Sequence, residues 1–276
     1  MRLLADLHTH TVASGHAYST VTELAGAAHD RGLELIAITE HGPSVPGGAH
    51  PWTLWNMKAI PSTLDGVRIL KGVEANPADS ESGLDLPDEM LELLDFVACG
   101  FHPQIGYDDE DATRNTEAIL RVIENPNVDM ITHPGNGDFP IDKPLVARAA
   151  ADHNVIIEIN AHSFESTSSR ALNSDDEREM IVLAVEAGAP IAISSDAHYH
   201  LHVGRFDNAI AVAREIGLAE EDVVNRTAQG VLDHLLAKRD RPRLEYGGVW
   251  NTAGDTSAGA DAGTSLSSSA GRGEAR

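Results

Sequence analysis

Seven short apolar runs recur along the chain, each followed by a polar loop and then by a helix-like stretch. The runs are Leu3–Leu7, Glu34–Ile38, Val67–Val73, Phe96–Cys99, Asp129–Thr132, Val155–Ile159 and Pro190–Ser194. Helices are expected between them at Thr22–Arg31, Leu54–Thr63, Asp111–Glu124, Asp142–Asp152 and Ser174–Ala187. Two more are expected beyond the last run, at Phe206–Ile216 and Ala228–Lys238, while the connection around Leu86–Leu94 is weak as a helix. Capping residues support several of these: Thr20 or Thr22 near Glu23, Asp111 before Ala112, and Gly188 and Gly217 at C-terminal ends. Strands that alternate with helices pair in parallel through right-handed crossovers, which leaves a doubly wound open sheet or a closed barrel. The glycine fingerprint of a dinucleotide fold and the G-x-x-x-x-G-K-[ST] phosphate loop are both absent.

The histidines decide between the two. There are 14 of them, and most stand just past the ends of the apolar runs. The first run leads into His8, His10 and His16, the second into Glu40 and His41, and the third into Glu74. The fourth leads into His102, the fifth into His133, and the seventh into Asp196 and His198. Residues i and i+2 of a strand share a face, so His8 with His10 and Asp196 with His198 can each converge on one ion. A closed parallel barrel brings the C-terminal ends of its strands around one axis, whereas an open sheet spreads them along an edge. The expectation is a distorted, TIM-like (βα)7 barrel with its site at the C-terminal strand ends. Seven imidazoles and two carboxylates without a thiolate suit Zn²⁺, Mn²⁺ or Fe²⁺, and nine donors are too many for one tetrahedral ion.

The segments Asp6-Leu7-His8-Thr9-His10, Ala13–Thr20, Gly72-Val73-Glu74-Ala75-Asn76, Gly100-Phe101-His102, His133-Pro134-Gly135-Asn136 and Ser195-Asp196-Ala197-His198 resemble the PHP (polymerase and histidinol phosphatase) superfamily. Within it they look most like the YcdX-like phosphatases. The resemblance runs from the first strand to about residue 240. It implies a trinuclear centre: His8, His10, Glu74 and Asp196 hold one metal; Glu74 bridges to a second that takes His102 and His133; His16, His41 and His198 hold the third. The family usually has Asp before the strand-two histidine, and this chain has Glu40, which is expected to orient His41 from behind. Asp6 is expected to support His8 or His10 in the same way.

Three divalent ions against two carboxylates leave a local charge of about +4, enough to hold a phosphate dianion. The expected chemistry is hydrolysis of a phosphate monoester by a metal-activated hydroxide, most simply on three Zn²⁺, with Glu74, Asp196 and His198 assigned to catalysis. Arg170, Arg205 and His162 lie on loops at the ligand end and are the candidates for substrate contact. His200 and His202 are expected to be loop residues, and His29, His153 and His234 surface residues. Cys99 is expected to be a small core residue.

The chain is acidic, with 43 Asp and Glu against 20 Lys and Arg and a formal net charge of −23. The segment 245–276 contributes little of it and reads as a flexible tail rich in Gly, Ala, Ser and Thr, which leaves 1–244 as the barrel domain. An acidic, lysine-poor surface is what halophilic proteins use to stay hydrated in concentrated salt. No basic run is present to neutralise nucleic-acid phosphates or anionic lipid, and no apolar stretch is long enough to span a bilayer. The apolar start is broken by Asp6 and His8, so no signal peptide and a cytoplasmic setting are expected. The expected partner is a small phosphorylated metabolite, and self-association is compatible with the sequence.

Three other readings compete. A phosphodiesterase or exonuclease would use a similar metal set but would need a basic or aromatic groove. An amidohydrolase-type C–N hydrolase would expect a bridging carbamylated lysine, and Lys71 is three positions before Glu74. A non-catalytic metal-storage or regulatory protein would bind ions without releasing phosphate.

Overall fold

Seven strands form the parallel sheet of the computed structural model: β1 Ala5–Thr9, β2 Leu35–His41, β3 Val67–Ala75, β4 Phe96–Cys99, β5 Met130–Ile131, β6 Ile156–Asn160 and β7 Ile191–Ser194. They are hydrogen-bonded in chain order, each parallel to the next. Around them run α1 Val21–Asp30, α2 Pro51–Trp55, α3 Asp88–Leu91, α4 Ala112–Glu124, α5 Lys143–Asp152, α6 Ser174–Ala187, α7 Asp207–Glu215 and α8 Ala228–Lys238. The structure describes residues 1–107 and 111–238, with the backbone of a two-residue antiparallel ladder between Leu244–Glu245 and Gly248–Val249. The rest of the tail expected over 245–276 lies outside the described residues.

Strand residues are buried on both faces, which is why each strand reads as a continuous apolar run. Alternate residues divide into two cores. Ala5, Leu35, Leu70, Phe96, Met130 and Ile156 point into the barrel, and Val231, Leu232 and Leu235 of α8 pack against them and close the N-terminal end. Ile36, Ile69, Val97, Ile157 and Ile193 point outward under the helices. An ordinary barrel is thereby filled by side chains below, and polar groups are left to occupy its upper end.

The ring closes between β1 and β7 in two ways. Near the C-terminal ends, His10 N donates to Ala197 O (2.9 Å) and Ala197 N to His8 O (3.3 Å). Lower down the fully buried side chain of Asn225 stands between the strands. Its Nδ2 donates to Ala5 O (2.7 Å) and Ile193 O (2.6 Å), and its Oδ1 accepts from Ile193 N (3.0 Å). One carboxamide thus does for both strands what a further peptide unit would do.

Local signals explain most helix boundaries. Thr20 and Glu23 form a reciprocal capping box at α1, Asp111 and Asp142 cap α4 and α5, and Gly188 ends α6 at φ 78°. The helix expected at Leu54–Thr63 is the main correction. The chain turns helical at Pro51, where His50 Nδ1 accepts from Trp52 N (3.1 Å), and only a 3-10 turn, Asn56–Ala59, follows Trp55. Pro61 cannot continue a helix, and Asp65 and Gly66, both at positive φ, fold Thr63–Leu64 back as a hairpin on β3. His50, unassigned from sequence, is a helix cap. Among the described residues no helix is long and apolar enough to cross a membrane.

Candidate metal centre

A bulge in β1 aims the first two histidines. Asp6 pairs with Ile36 but Thr9 with Ile38, so three steps of β1 match two of β2. Simple alternation after Ala5 and Leu7 would send His8 outward; the extra residue turns His8 and His10 inward instead. Glu74, on the inward side of β3 with Leu70, stands at the middle of the result. Its Oε2 is 2.9 Å from His41 Nδ1, 3.3 Å from His8 Nε2, 3.3 Å from His102 Nε2 and 3.6 Å from His10 Nε2. Its Oε1 is 3.0 Å from His133 Nε2. Asp196 Oδ1 closes the other side, 3.5 Å from His8 Nε2 and 3.4 Å from His10 Nε2. Further out, His16 Nε2 lies 3.2 Å from His41 Nε2 and 3.0 Å from His198 Nε2.

All nine expected ligands therefore converge. His41 faces Glu74 and His102 through one nitrogen and His16 through the other, so it stands between sets that the family resemblance keeps apart.

The donor set fits divalent ions. His8 Nε2, His10 Nε2, His41 Nδ1 and Glu74 Oε2 are buried, have no hydrogen-bond partner, and face one another. Four such atoms stripped of water at one place are costly unless a cation joins them. Burial, then His41 and His198, push the His16 imidazole down to about 4, and burial, then Arg170, does the same to His133, so both offer lone pairs at neutral pH. Burial alone would raise the Glu74 carboxyl, yet the charges of His8 and His102 hold it well below the usual range.

Buried partners fix the tautomers. Glu158 Oε1 accepts a hydrogen bond from His8 Nδ1 (2.8 Å), which leaves Nε2 for an ion, and Asn76 Oδ1 accepts likewise from His102 Nδ1 (2.8 Å). Glu158 Oε2 also accepts from His133 N (2.9 Å), at a residue held in the left-handed region at φ 32°. Gly100 leaves the room this needs, since a Cβ there would stand 2.2 Å from Thr132 Oγ1 and 2.7 Å from His133 Cε1. Behind this layer Glu177 is buried on α6, and burial followed by Glu158 pushes its carboxyl up to about 8. Glu158, Asn76, Ser14 and Glu177 were not among the residues expected from sequence. An acid inside an otherwise apolar strand was the available signal for Glu158.

Glu158→Gln keeps shape but loses the charge that holds the His8 proton. It is expected to weaken metal retention about 10- to 100-fold, measured as metal content after dialysis against competing chelators. Wild-type retention would show that this partner is dispensable.

Glu40 and Asp6 both stand behind the ligands, by routes the sequence does not show. Glu40 does not touch the His41 ring. Its carboxylate accepts from Thr11 N, Thr11 Oγ1 and Ser14 Oγ (2.5 Å), and Ser14 Oγ in turn accepts from His41 N (3.0 Å) and stands 3.4 Å from His10 Nδ1. It therefore positions both histidines through a serine, because an odd-numbered residue of β2 faces in and an even-numbered one out. Asp6 supports His8 through its backbone and not through its ring. It accepts from Ser195 N (3.0 Å), Ser195 Oγ (2.5 Å), Gly204 N (2.9 Å) and the His8 backbone (3.4 Å), so it ties β1 to the Asp196 loop.

Beside the cluster opens a cavity of about 380 Å³. Arg170 and His162 line it, as does His202, expected only as a loop residue. The Arg170 guanidinium is ion-paired with Asp196 Oδ2. Arg205 is exposed and does not line the cavity; Gly204, at φ 70°, turns the chain just before it. His200 contacts Ser19 Oγ (3.1 Å). His29 and His153 are exposed, but His234 is half-buried, with its Nε2 enclosed. Cys99 is buried among the outward-facing core.

The PHP domain profile matches residues 6–216 of this chain. A probable phosphatase of Caldanaerobacter subterraneus is 46 % identical over 244 residues, covering 87 % of this chain and 94 % of that protein. A probable phosphatase of Thermoanaerobacter pseudethanolicus is 44 % identical over 239 residues, covering 87 % and 97 %. Among solved structures, histidinol phosphate phosphatase from Lactococcus lactis, complexed with zinc, L-histidinol and phosphate, superposes with a TM-score of 0.60 at 18 % identity. The match covers 79 % of this chain and 95 % of that one, and shows a shared fold.

Proposed function

This chain belongs to the PHP domain family, and from that premise we propose that it is a metal-dependent phosphatase acting on a small phosphate monoester. The observation that carries this reading is the position of Glu74. One carboxylate presents Oε2 to His8, His10, His41 and His102, and Oε1 to His133, which suits a bridge between two ions. His8, His10, Glu74 and Asp196 would hold the first, and Glu74, His102 and His133 the second. His16, His41 and His198 would hold the third. Nitrogen and carboxylate donors without thiolate favour Zn²⁺, with Mn²⁺ and Fe²⁺ as alternatives. Divalent ions so held would supply Lewis acidity toward phosphoryl oxygens and make a water nucleophilic at neutral pH.

The chain's own residues do the rest. Glu158 and Asn76 keep two imidazoles facing inward, so the site is organised before substrate arrives. Arg170, held by Asp196, presents a fixed guanidinium at the cavity wall, where it can take a non-bridging phosphoryl oxygen. The Asp196–Arg170 pair thereby links an ion ligand to the bound phosphoryl group.

Comparing p-nitrophenol release from the mono- and diester phosphates tests this. The monoester is expected to be hydrolysed at least about a hundredfold faster in kcat/KM, because a cavity of this size beside a clustered site favours a dianion with one small substituent. Equal or faster hydrolysis of the diester would replace it with the phosphodiesterase reading.

A further inference from the structure

Two acceptors compete for the ring proton of His102. Its Nε2 is 3.3 Å from Glu74 Oε2, and its Nδ1 is 2.8 Å from Asn76 Oδ1. Only the neutral form protonated at Nδ1 offers Nε2 as a lone pair to an ion. Asn76 selects that form only while its carboxamide keeps the oxygen toward the ring. Turned over, it would present an NH2 group to Nδ1 and favour the proton on Nε2.

The carboxamide is fixed by Asp85, on the loop after β3. Asp85 Oδ2 accepts from Asn76 Nδ2 (2.6 Å), and Asp85 Oδ1 accepts from Asn76 N (2.9 Å). A carboxylate only accepts, so the Asn76 oxygen has no place against it. The remaining orientation gives that oxygen to His102.

Asp85 is itself held from two sides. Its backbone N donates to Asn76 O (3.0 Å), where Pro77 and Leu84 pair as an antiparallel bridge and bring the loop back on itself. Ser44 N, from the loop after β2, donates to Asp85 Oδ2 (2.9 Å). Gly42 leaves the carboxylate its room. A Cβ there would stand 2.5 Å from Asp85 Oδ2, 2.6 Å from Asp85 Oδ1 and 2.9 Å from Asn76 Nδ2. Gly42 directly follows His41, so the loops after β2 and β3 meet on this one side chain.

We propose that Asp85 is a positioning residue for the ion site: through Asn76 it fixes the His102 proton on Nδ1 and keeps Nε2 open to the second ion. This role rests on the reading of His102 as an ion ligand, and not on the reaction that the ions perform.

Asp85→Asn keeps the shape but turns one acceptor oxygen into a donor, which meets an N–H in either orientation. Retention of the second ion against competing chelators is expected to fall at least about tenfold. Nitrogen-15 NMR of the Zn²⁺-saturated protein follows the His102 Nδ1–H, identified by its loss in His102→Gln. In Asp85→Asn this proton is expected to exchange with water at least about tenfold faster, as the loss of one good hydrogen bond implies. Gly42→Ala removes no polar group and is expected to lower retention in the same direction by displacing the carboxylate.

The paired exchange Asn76→Asp with Asp85→Asn puts a carboxylate beside His102, where either oxygen accepts and no orientation needs fixing. It is expected to bring both readouts back to within about threefold of the wild type. Unchanged retention in Asp85→Asn overturns the proposal. So does lost retention with the ring proton still protected, since Asp85 would then serve the loop and not the ring. Failure of the exchange to restore retention at wild-type Tm overturns it too; where the exchange lowers Tm, the ring proton of Asp85→Asn decides. The expected Asp85 effects without phosphate release from p-nitrophenyl phosphate would remove the phosphatase reading and leave the proposal standing. A wild-type protein that binds no Zn²⁺ would overturn both.

Discussion

Glu74→Ala is expected to lower kcat/KM for phosphate release by at least about a thousandfold, with the loss of one or more ions per chain by metal analysis. Both Glu74 oxygens are engaged, by five imidazoles from four strands and their loops, and its side chain is fully buried. Removing it takes away the one carboxylate that faces every inner histidine, and leaves those lone pairs to meet any cation without a central counter-charge. Breaking a buried charged cluster by deleting one partner typically costs about 3–5 kcal/mol, which is already about two to nearly four powers of ten in binding. Glu74→Gln separates charge from shape. It fills the same volume but turns an amide donor toward imidazoles that need an acceptor or an ion, so it is expected to be nearly as inactive. Chelation of the wild-type protein should reproduce the loss, and added Zn²⁺ or Mn²⁺ should reverse it. Full activity in either Glu74 variant would overturn the bridging role.

The largest expected effect on stability is far from the reacting centre. Asn225→Ala removes three buried hydrogen bonds, to Ala5 O, Ile193 O and Ile193 N, and leaves those backbone groups unpaired at the seam where β1 must meet β7. At about 1–3 kcal/mol for each buried group left unsatisfied, the loss is expected to be about 3 kcal/mol or more, a fall in Tm on the order of 10 °C. Asn225→Asp is the sharper substitution. It is isosteric, so packing is unchanged, but it points a carboxylate at two carbonyls and is expected to be at least as damaging. Thermal unfolding of both variants checks this; an Asp variant as stable as the wild type would show that the seam closes without the carboxamide.

Much of the barrel was legible in the sequence, and the errors have identifiable causes. Phe96–Cys99 matches its strand, but β2 continues to His41, three residues past the apolar run expected to end at Ile38. The run stops where polar ligands begin, while the backbone ladder continues beneath them. Hydrophobicity therefore marks the filled part of the barrel and not the length of its strands. The helix expected at Leu54–Thr63 failed against Pro61 and the Asp65-Gly66 turn, whose backbone rules outweigh apolar spacing. Glu158 is not legible as a site residue because the apolar runs mark ligands beyond their ends, and it stands within a strand, one inward step above Ile156.

The sequence by itself determined the order of parallel strands and placed nine donors at one end of them. Both follow from local geometry: alternation along a strand and the need of a crossover helix between parallel neighbours. Only the tertiary structure decided which way those donors face and what stands behind them. The bulge in β1 reverses the side on which His8 and His10 fall. Barrel closure puts Glu158 on His8 across 150 residues and Arg170 on Asp196, while it leaves Arg205 outside. Such contacts depend on register and on the join between the first and last strands, which are properties of the closed ring and not of any segment of the chain.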